Sequence, residues 1–127
     1  MLNRHEYREK IVFALYQHLL LHKSIRECFN NNFEDEEFDE YSEKICLDLE
    51  INESNYIEEI SKHLVKWSFD RLNLVEQAIL LESASEINIK EVDKPIIIDE
   101  AVILTKTYCD EESYKYINGV LDNLCNN

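Results

Sequence analysis

His18 and His22 stand four residues apart, a spacing at which two imidazoles on one helix face can share a metal ion. No further ligand at metal spacing accompanies them, so they read as neutral histidines on a helix face. Cys28, Cys46, Cys109 and Cys125 form no Cys-x-x-Cys pair. They encode neither a zinc knuckle nor a redox dithiol and read as reduced thiols in or near a core. Nucleophilic catalysis needs a Ser or Cys lifted on a Gly-lined turn beside a base, and the chain has a single glycine. The same shortage removes Walker-type and dinucleotide phosphate loops. With 27 Asp and Glu, no pair of carboxylates singles out an acid–base site. These residue types predict no catalytic site, no metal and no cofactor, and leave a binding surface as the means of action.

Helices must carry that surface, because one Gly and one Pro in 127 residues remove most of what hairpins and sandwiches require. Tyr7, Ile11, Ala14, Leu15 and Leu19 recur at helical spacing and predict an amphipathic helix from Asn3 to about His22, with Arg4, His5, Arg8, Val12 and Tyr16 flanking the stripe. Residues 24 to 29 predict a short helix, and the following Asn-Asn-Asn run a loop. Phe33, Phe38, Tyr41, Ile45 and Leu49 keep a loose helical spacing through the acid-rich stretch, which reads as a solvated face. Asn52 is a candidate N-cap for a helix reaching about Ser68 through Tyr56, Ile57, Ile60, Leu64 and Trp67.

Asn73 with Glu76 resembles a capping box, and the helix behind it is apolar over more than half its circumference, which predicts a place at the centre of a bundle. Lys94-Pro95 predicts an extended, buried segment through Ile96, Ile97 and Ile98, with Asp99 capping the next helix, whose Ala101, Leu104, Thr105 and Tyr108 share a face. A last helix starts between Asp110 and Ser113 and points Tyr114, Ile117, Leu121 and Leu124 inward. Gly119 inside it costs about 1 kcal/mol relative to Ala, and predicts a tight crossing by another helix. The fold class is therefore all-α, about six to seven helices in one domain over residues 1 to 127. Its halves meet near residues 68 and 69.

The net charge of −14 is unevenly spread: +2 over residues 1 to 29, −11 over 30 to 60, and −5 over 61 to 127. Such a field opposes non-specific nucleic-acid binding over the whole surface but leaves room for a local basic site on the first helix. No apolar run approaches the ~18 to 20 residues that span a bilayer, and the N-terminus lacks a signal-peptide pattern, which predicts a cytoplasmic protein with no membrane partner.

Pro95-Ile-Ile-Ile-Asp-Glu-Ala-Val-Ile-Leu-Thr-Lys-Thr-Tyr108 followed by Glu112-Ser-Tyr-Lys-Tyr-Ile-Asn-Gly-Val-Leu-Asp122 resembles the signature of the NusB family. Trp67, Arg71 and Val75-Glu-Gln-Ala-Ile-Leu80 resemble its central region, and Ala14-Leu-Tyr-Gln17 its N-terminal helix. The resemblance implies two small helical bundles packed together. It also implies an RNA-binding transcription antitermination factor that pairs with NusE, a small-subunit ribosomal protein, on boxA elements of ribosomal RNA leaders, within an RNA polymerase antitermination complex.

Residue by residue, the resemblance assigns RNA contacts to Arg4, His5, Arg8, Tyr16, Glu112, Ser113, Lys115 and Tyr116, and the NusE surface to Glu76 and its exposed neighbours. Aromatic rings that take unstacked bases beside arginines that meet phosphates suit single-stranded RNA. Packing roles for Tyr16 and Tyr116 remain an alternative. Glu6, Leu81, Ser85 and the strength of the acidic block depart from the family pattern and imply weaker RNA affinity, with more of the binding supplied by NusE. The competing expectation is a protein-interaction module of the same fold, including a homodimer.

Overall fold

The computed structural model describes residues 2–126, and among them the secondary structure is helical throughout. Six α-helices follow in order: α1 (Arg4–Leu21), α2 (Ile25–Asn32), α3 (Glu40–Ser61), α4 (Leu74–Ile89), α5 (Lys94–Tyr108) and α6 (Ser113–Cys125), with a 3-10 turn at Phe69–Arg71 before α4. Local chemistry sets several of the ends. Asn3 accepts from the Glu6 amide at 2.8 Å while the Glu6 carboxylate accepts from the Asn3 amide at 3.0 Å, a reciprocal cap that satisfies two donors at the start of α1. His22 closes the same helix with a left-handed φ of 58°.

At the start of α4 the Asn73–Glu76 box is complete in both directions, at 2.8 and 3.2 Å. Asn73→Ala is expected to lower stability by about 1 kcal/mol, read as a shifted urea midpoint at unchanged slope; an unchanged midpoint would mean the cap is replaceable by water.

Helix α4 is the axis of the molecule. Every residue from Glu76 to Glu86 is buried, and α1, α3, α5 and α6 all pack on it. A helix surrounded on all sides must be apolar or internally satisfied around its whole circumference. Ala78, Ile79, Leu80 and Leu81 meet the first condition, each with no accessible surface. Ser85 meets the second, donating to Asp48 of α3 at 2.6 Å. Asp48 also accepts from Tyr56 at 2.6 Å, Asn52 at 2.9 Å and Asn88 at 3.0 Å. One carboxylate thus pins α3 to α4.

That network corrects the reading of Asn52 as a helix cap. Its amide is spent on Asp48, one turn earlier in the same helix, and α3 continues through it to Ser61. The helix starts at Glu40, capped by Asp39, whose side chain accepts from the Ser42 amide at 2.8 Å. It also ends seven residues before Ser68, so Leu64, Val65 and Trp67 lie in a loop. The Asn run is helical as well, because Asn32 donates to Gln17 of α1 at 2.7 Å and back to the Cys28 carbonyl at 2.8 Å.

Helix α5 begins at Lys94, not Asp99. Pro95 sits in the first turn, where its missing amide hydrogen costs nothing, so the three isoleucines are helical, with only Ile97 fully buried. The predicted crossing at Gly119 is absent. A Cβ built there meets no atom within 4 Å, and the residue is exposed.

Part of the acidic block is ion-paired, Lys10 of α1 reaching Glu37 at 2.7 Å and Arg26 of α2 pairing with Glu43 and with Glu50 (3.0 Å). Glu34, Asp35, Glu36 and Glu40 are exposed, as the sequence predicts. Beneath the block Phe29, Phe33 and Phe38 form an aromatic cluster, with ring centroids 5.4 to 6.3 Å apart. The four cysteines carry free thiols. Burial pushes the Cys46 thiol up to about 12 and the Cys109 thiol to about 11, which keeps both protonated and poorly nucleophilic.

Candidate functional site

The exposed flank of α1 lies alongside α5. His5 Nδ1 is 2.8 Å from a Glu100 carboxylate oxygen. One turn on, Glu9 accepts from the Tyr108 hydroxyl at 2.6 Å. A further turn on, the Phe13 ring stands edge-to-face on Tyr108, with centroids 5.4 Å apart. From His5 to Glu9 the partner moves from Glu100 to Tyr108, and Glu9 and Phe13 then share Tyr108. Tyr108, expected on an inward face, is 41% exposed, and Phe13 is 39% exposed.

Glu112, Ser113, Lys115 and Tyr116 lie at the start of α6. Glu112 and Lys115 are exposed and paired with each other at 2.9 Å. Ser113 is buried, its amide donating to the Asp110 carbonyl at 3.0 Å as α6 begins. Tyr116 is half-buried, and its hydroxyl is enclosed without meeting hydrogen-bond geometry. Burial, with the nearby Glu76 carboxylate, pushes that phenol strongly up. Tyr16 is likewise half-buried against the core. Both tyrosines are therefore partly held by packing rather than free side chains.

Three of the sequence expectations are corrected. Arg8 is 3% exposed. Its guanidinium grips Glu86 through two bonds, 2.8 and 3.0 Å, and Tyr41 donates to the same carboxylate at 2.9 Å. A desolvated arginine needs a carboxylate of matching geometry, and α4 supplies one, so in this conformation Arg8 is a core residue and not a phosphate contact. Glu76 is also buried, at 7%, because its carboxylate serves the capping box. It offers no exposed handle to a protein partner. Arg4 is exposed but stands three turns from Tyr16, about 18 Å along the helix. There its guanidinium lies over the Tyr41 ring at 4.6 Å and within 3.8 Å of Asp39.

The buried pair has a third member. Glu82 lies one turn before Glu86 with 2% exposure, and one of its carboxyl oxygens has no partner. Burial, then the neighbouring Glu86 charge, pushes the Glu82 carboxyl well above the ordinary range. Burial alone would raise Glu86 too, but hydrogen bonds from Glu82, Arg8 and Tyr41 turn its shift downward. The cluster is therefore an Arg8–Glu86 ion pair with the Glu82 carboxyl beside it shifted toward its protonated form.

No group of three or more metal-ligating side chains occurs among the described residues. His18 is engaged by Glu53 at 2.8 Å, and that hydrogen bond, against burial, raises its pKa. It is thus biased toward the charged form, in contrast to the neutral reading from sequence. Among the described residues, no helix is long and apolar enough to cross a membrane.

Six α-helices, four of them packed on the buried α4, define an all-α helical protein. The chain belongs to the NusB family, whose sequence profile matches residues 5–126. It is 36% identical over 124 residues to the transcription antitermination protein NusB of Listeria welshimeri, covering 97% of this chain and 96% of that one. The NusB of a Sulfurovum species is also 36% identical, over 126 residues, covering 96% and 97%.

Among solved structures, T. maritima NusB superposes with a TM-score of 0.89 at 26% identity, covering 98% of this chain and 92% of that chain. A chain from a crystal structure of antitermination factors NusB and NusE in complex with dsRNA superposes at 0.84 and 26% identity, covering 97% and 96%.

Proposed function

We propose that this protein is an RNA-binding antitermination factor that pairs with NusE and receives boxA-type RNA of ribosomal RNA leaders, within an RNA polymerase antitermination complex. The observation that carries the reading is the match, over nearly its whole length, to a chain solved with NusE and RNA. The half-buried rings of Tyr16 and Tyr116 support it, since partly held aromatics can take a base at little entropic cost. The exposed Lys115–Glu112 pair, close to Tyr116 in the chain, supports a contact at the start of α6.

A second reading has its own support. Arg4, His5, Arg8 and Lys115 all lie within 4 Å of carboxylates. Cations already neutralised give little to phosphate binding, which favours a module that contacts proteins first, NusE or another copy of itself, and holds RNA only in that company.

Fluorescence anisotropy of labelled boxA RNA, titrated with the protein alone and with NusE, separates the two. The expected result is a salt-sensitive rise that is much larger with NusE, and a loss of about 5- to 150-fold in affinity for Tyr16→Ala. A scrambled RNA bound as well as boxA would end the reading. A stable NusE complex without any RNA response would establish the second.

A further inference from the structure

The loop after α3 leaves Val65 96% and Trp67 61% exposed, and these face α6 across a cleft of about 460 Å³. Its far wall is Tyr116, Gly119, Val120 and Asn123. A volume of this size lies within the range that holds small organic ligands. The absence of a Cβ at Gly119, where 4 Å around the missing atom is empty, keeps the cleft open.

None of the residues lining the cleft is acidic, on a chain whose net charge is −14. Lys66 lines it and Arg71 follows on the adjoining turn. Both are exposed, and among the described residues neither has a carboxylate within ion-pair distance. Asp70, the acid nearest to them in sequence, receives the Ser68 hydroxyl at 2.5 Å. The cations on the α1 flank are committed to carboxylates, while these two have none among the described residues.

Resting on the RNA-binding reading above, we infer that this cleft is a nucleotide subsite for single-stranded RNA. An unstacked base lies against Trp67 over the opening at Gly119, with Lys66 and Arg71 meeting the flanking phosphates. Stacking suits any base because every base has a π-face, and the Asn123 amide, donor and acceptor at once, adds an edge contact. Tyr116 belongs both to this cleft and to the candidate face at the α6 start, so a strand bound there continues into it. An acidic peptide would find the same two cations, but a flat exposed indole beside an open, acid-free slot fits a base better.

Trp67 is the only tryptophan, which makes its emission a direct reporter. The experiment uses the full chain with NusE and two sets of labelled RNA: a boxA core, and the core extended by a few unpaired nucleotides at the 5′ or the 3′ end. Anisotropy reports binding and tryptophan emission reports the cleft. Quenching by one extended RNA, and not by the core, is expected. Trp67→Ala and Gly119→Leu should each reduce affinity for that RNA by about 5- to 150-fold, down to that of the core.

Gly119→Leu faces open space, and an unchanged circular dichroism spectrum checks that it folds. Extended RNAs that bind with unquenched Trp67 and are indifferent to both substitutions would overturn the subsite while leaving the RNA reading intact. Quenching by NusE alone, without RNA, would overturn it in favour of protein docking. Absence of an anisotropy rise with any RNA would remove the RNA-binding reading itself.

Discussion

Arg8→Ala is expected to lower the unfolding free energy by about 3–5 kcal/mol, the usual consequence of stripping one partner from a buried ion pair. The Glu86 side chain is fully buried, and without the guanidinium its charge would be left with only the Tyr41 hydroxyl and the Glu82 proton. A domain of this size has a total stability of about 5–15 kcal/mol, so the variant should melt far earlier or fail to accumulate. Urea denaturation followed by circular dichroism measures it. Replacing both partners together, Arg8→Met with Glu86→Leu, removes the stranded charge and should recover much of the loss. A double variant as damaged as the sum of the two single ones would contradict the ion-pair account. Arg8→Glu, which a surface reading of α1 would choose to weaken RNA binding, is therefore a stability variant first.

Glu82→Gln is expected to act in the opposite direction, with a pH dependence that identifies the cause. The folded-state pKa of Glu82 is raised by burial. The folded protein therefore keeps a proton that the unfolded chain releases above about pH 4.3. The stability tied to that proton is fully present below the unfolded value and declines as pH rises through the folded one. Glutamine cannot ionise, so it removes the decline. Melting temperatures of the two proteins should be close near pH 4 and diverge toward pH 8, with the variant higher. The Glu86 shift runs downward, and its contribution is lost instead as pH falls through its folded value. A constant difference in melting temperature at all pH values would show that Glu82 is ionised in the fold, contrary to its surroundings.

The two results bear on function through position. Arg8, Glu82 and Glu86 tie α1 to α4, and α1 also carries Phe13 and Tyr16 on its outer side. An RNA assay on variants of this cluster would report the loss of the scaffold, whereas the exposed Trp67 and Gly119 can be changed without opening the core.

Helix ends written by local chemistry were legible in the sequence. The box at Asn73 and Glu76 and the start of α6 depend on groups three or four residues apart. The extent of α3 was not, because Asn52 could cap a new helix or bond one turn back to Asp48, and the choice rests on Ser85 and Asn88 arriving from α4. Pro95 reads equally as a break or as a first turn until Ile97 finds its place in the interior. Gly119 signalled a special position, but its meaning reversed: space beside it is left open rather than filled.

The candidate face divides in the same way. Residue types and family motifs pointed to Tyr16, Lys115 and Tyr116, while Phe13 and Tyr108 went unnoticed as a pair because no pattern within one helix shows which neighbour runs beside it. Sequence alone thus determined the all-helical class, the central α4 and the family, since helical period, capping and motif are properties of short stretches. Only the tertiary structure decided which charges are free. Arg8 became a core residue and Lys66 and Arg71 remained available because the cost of desolvating a cation depends on what distant segments bring beside it.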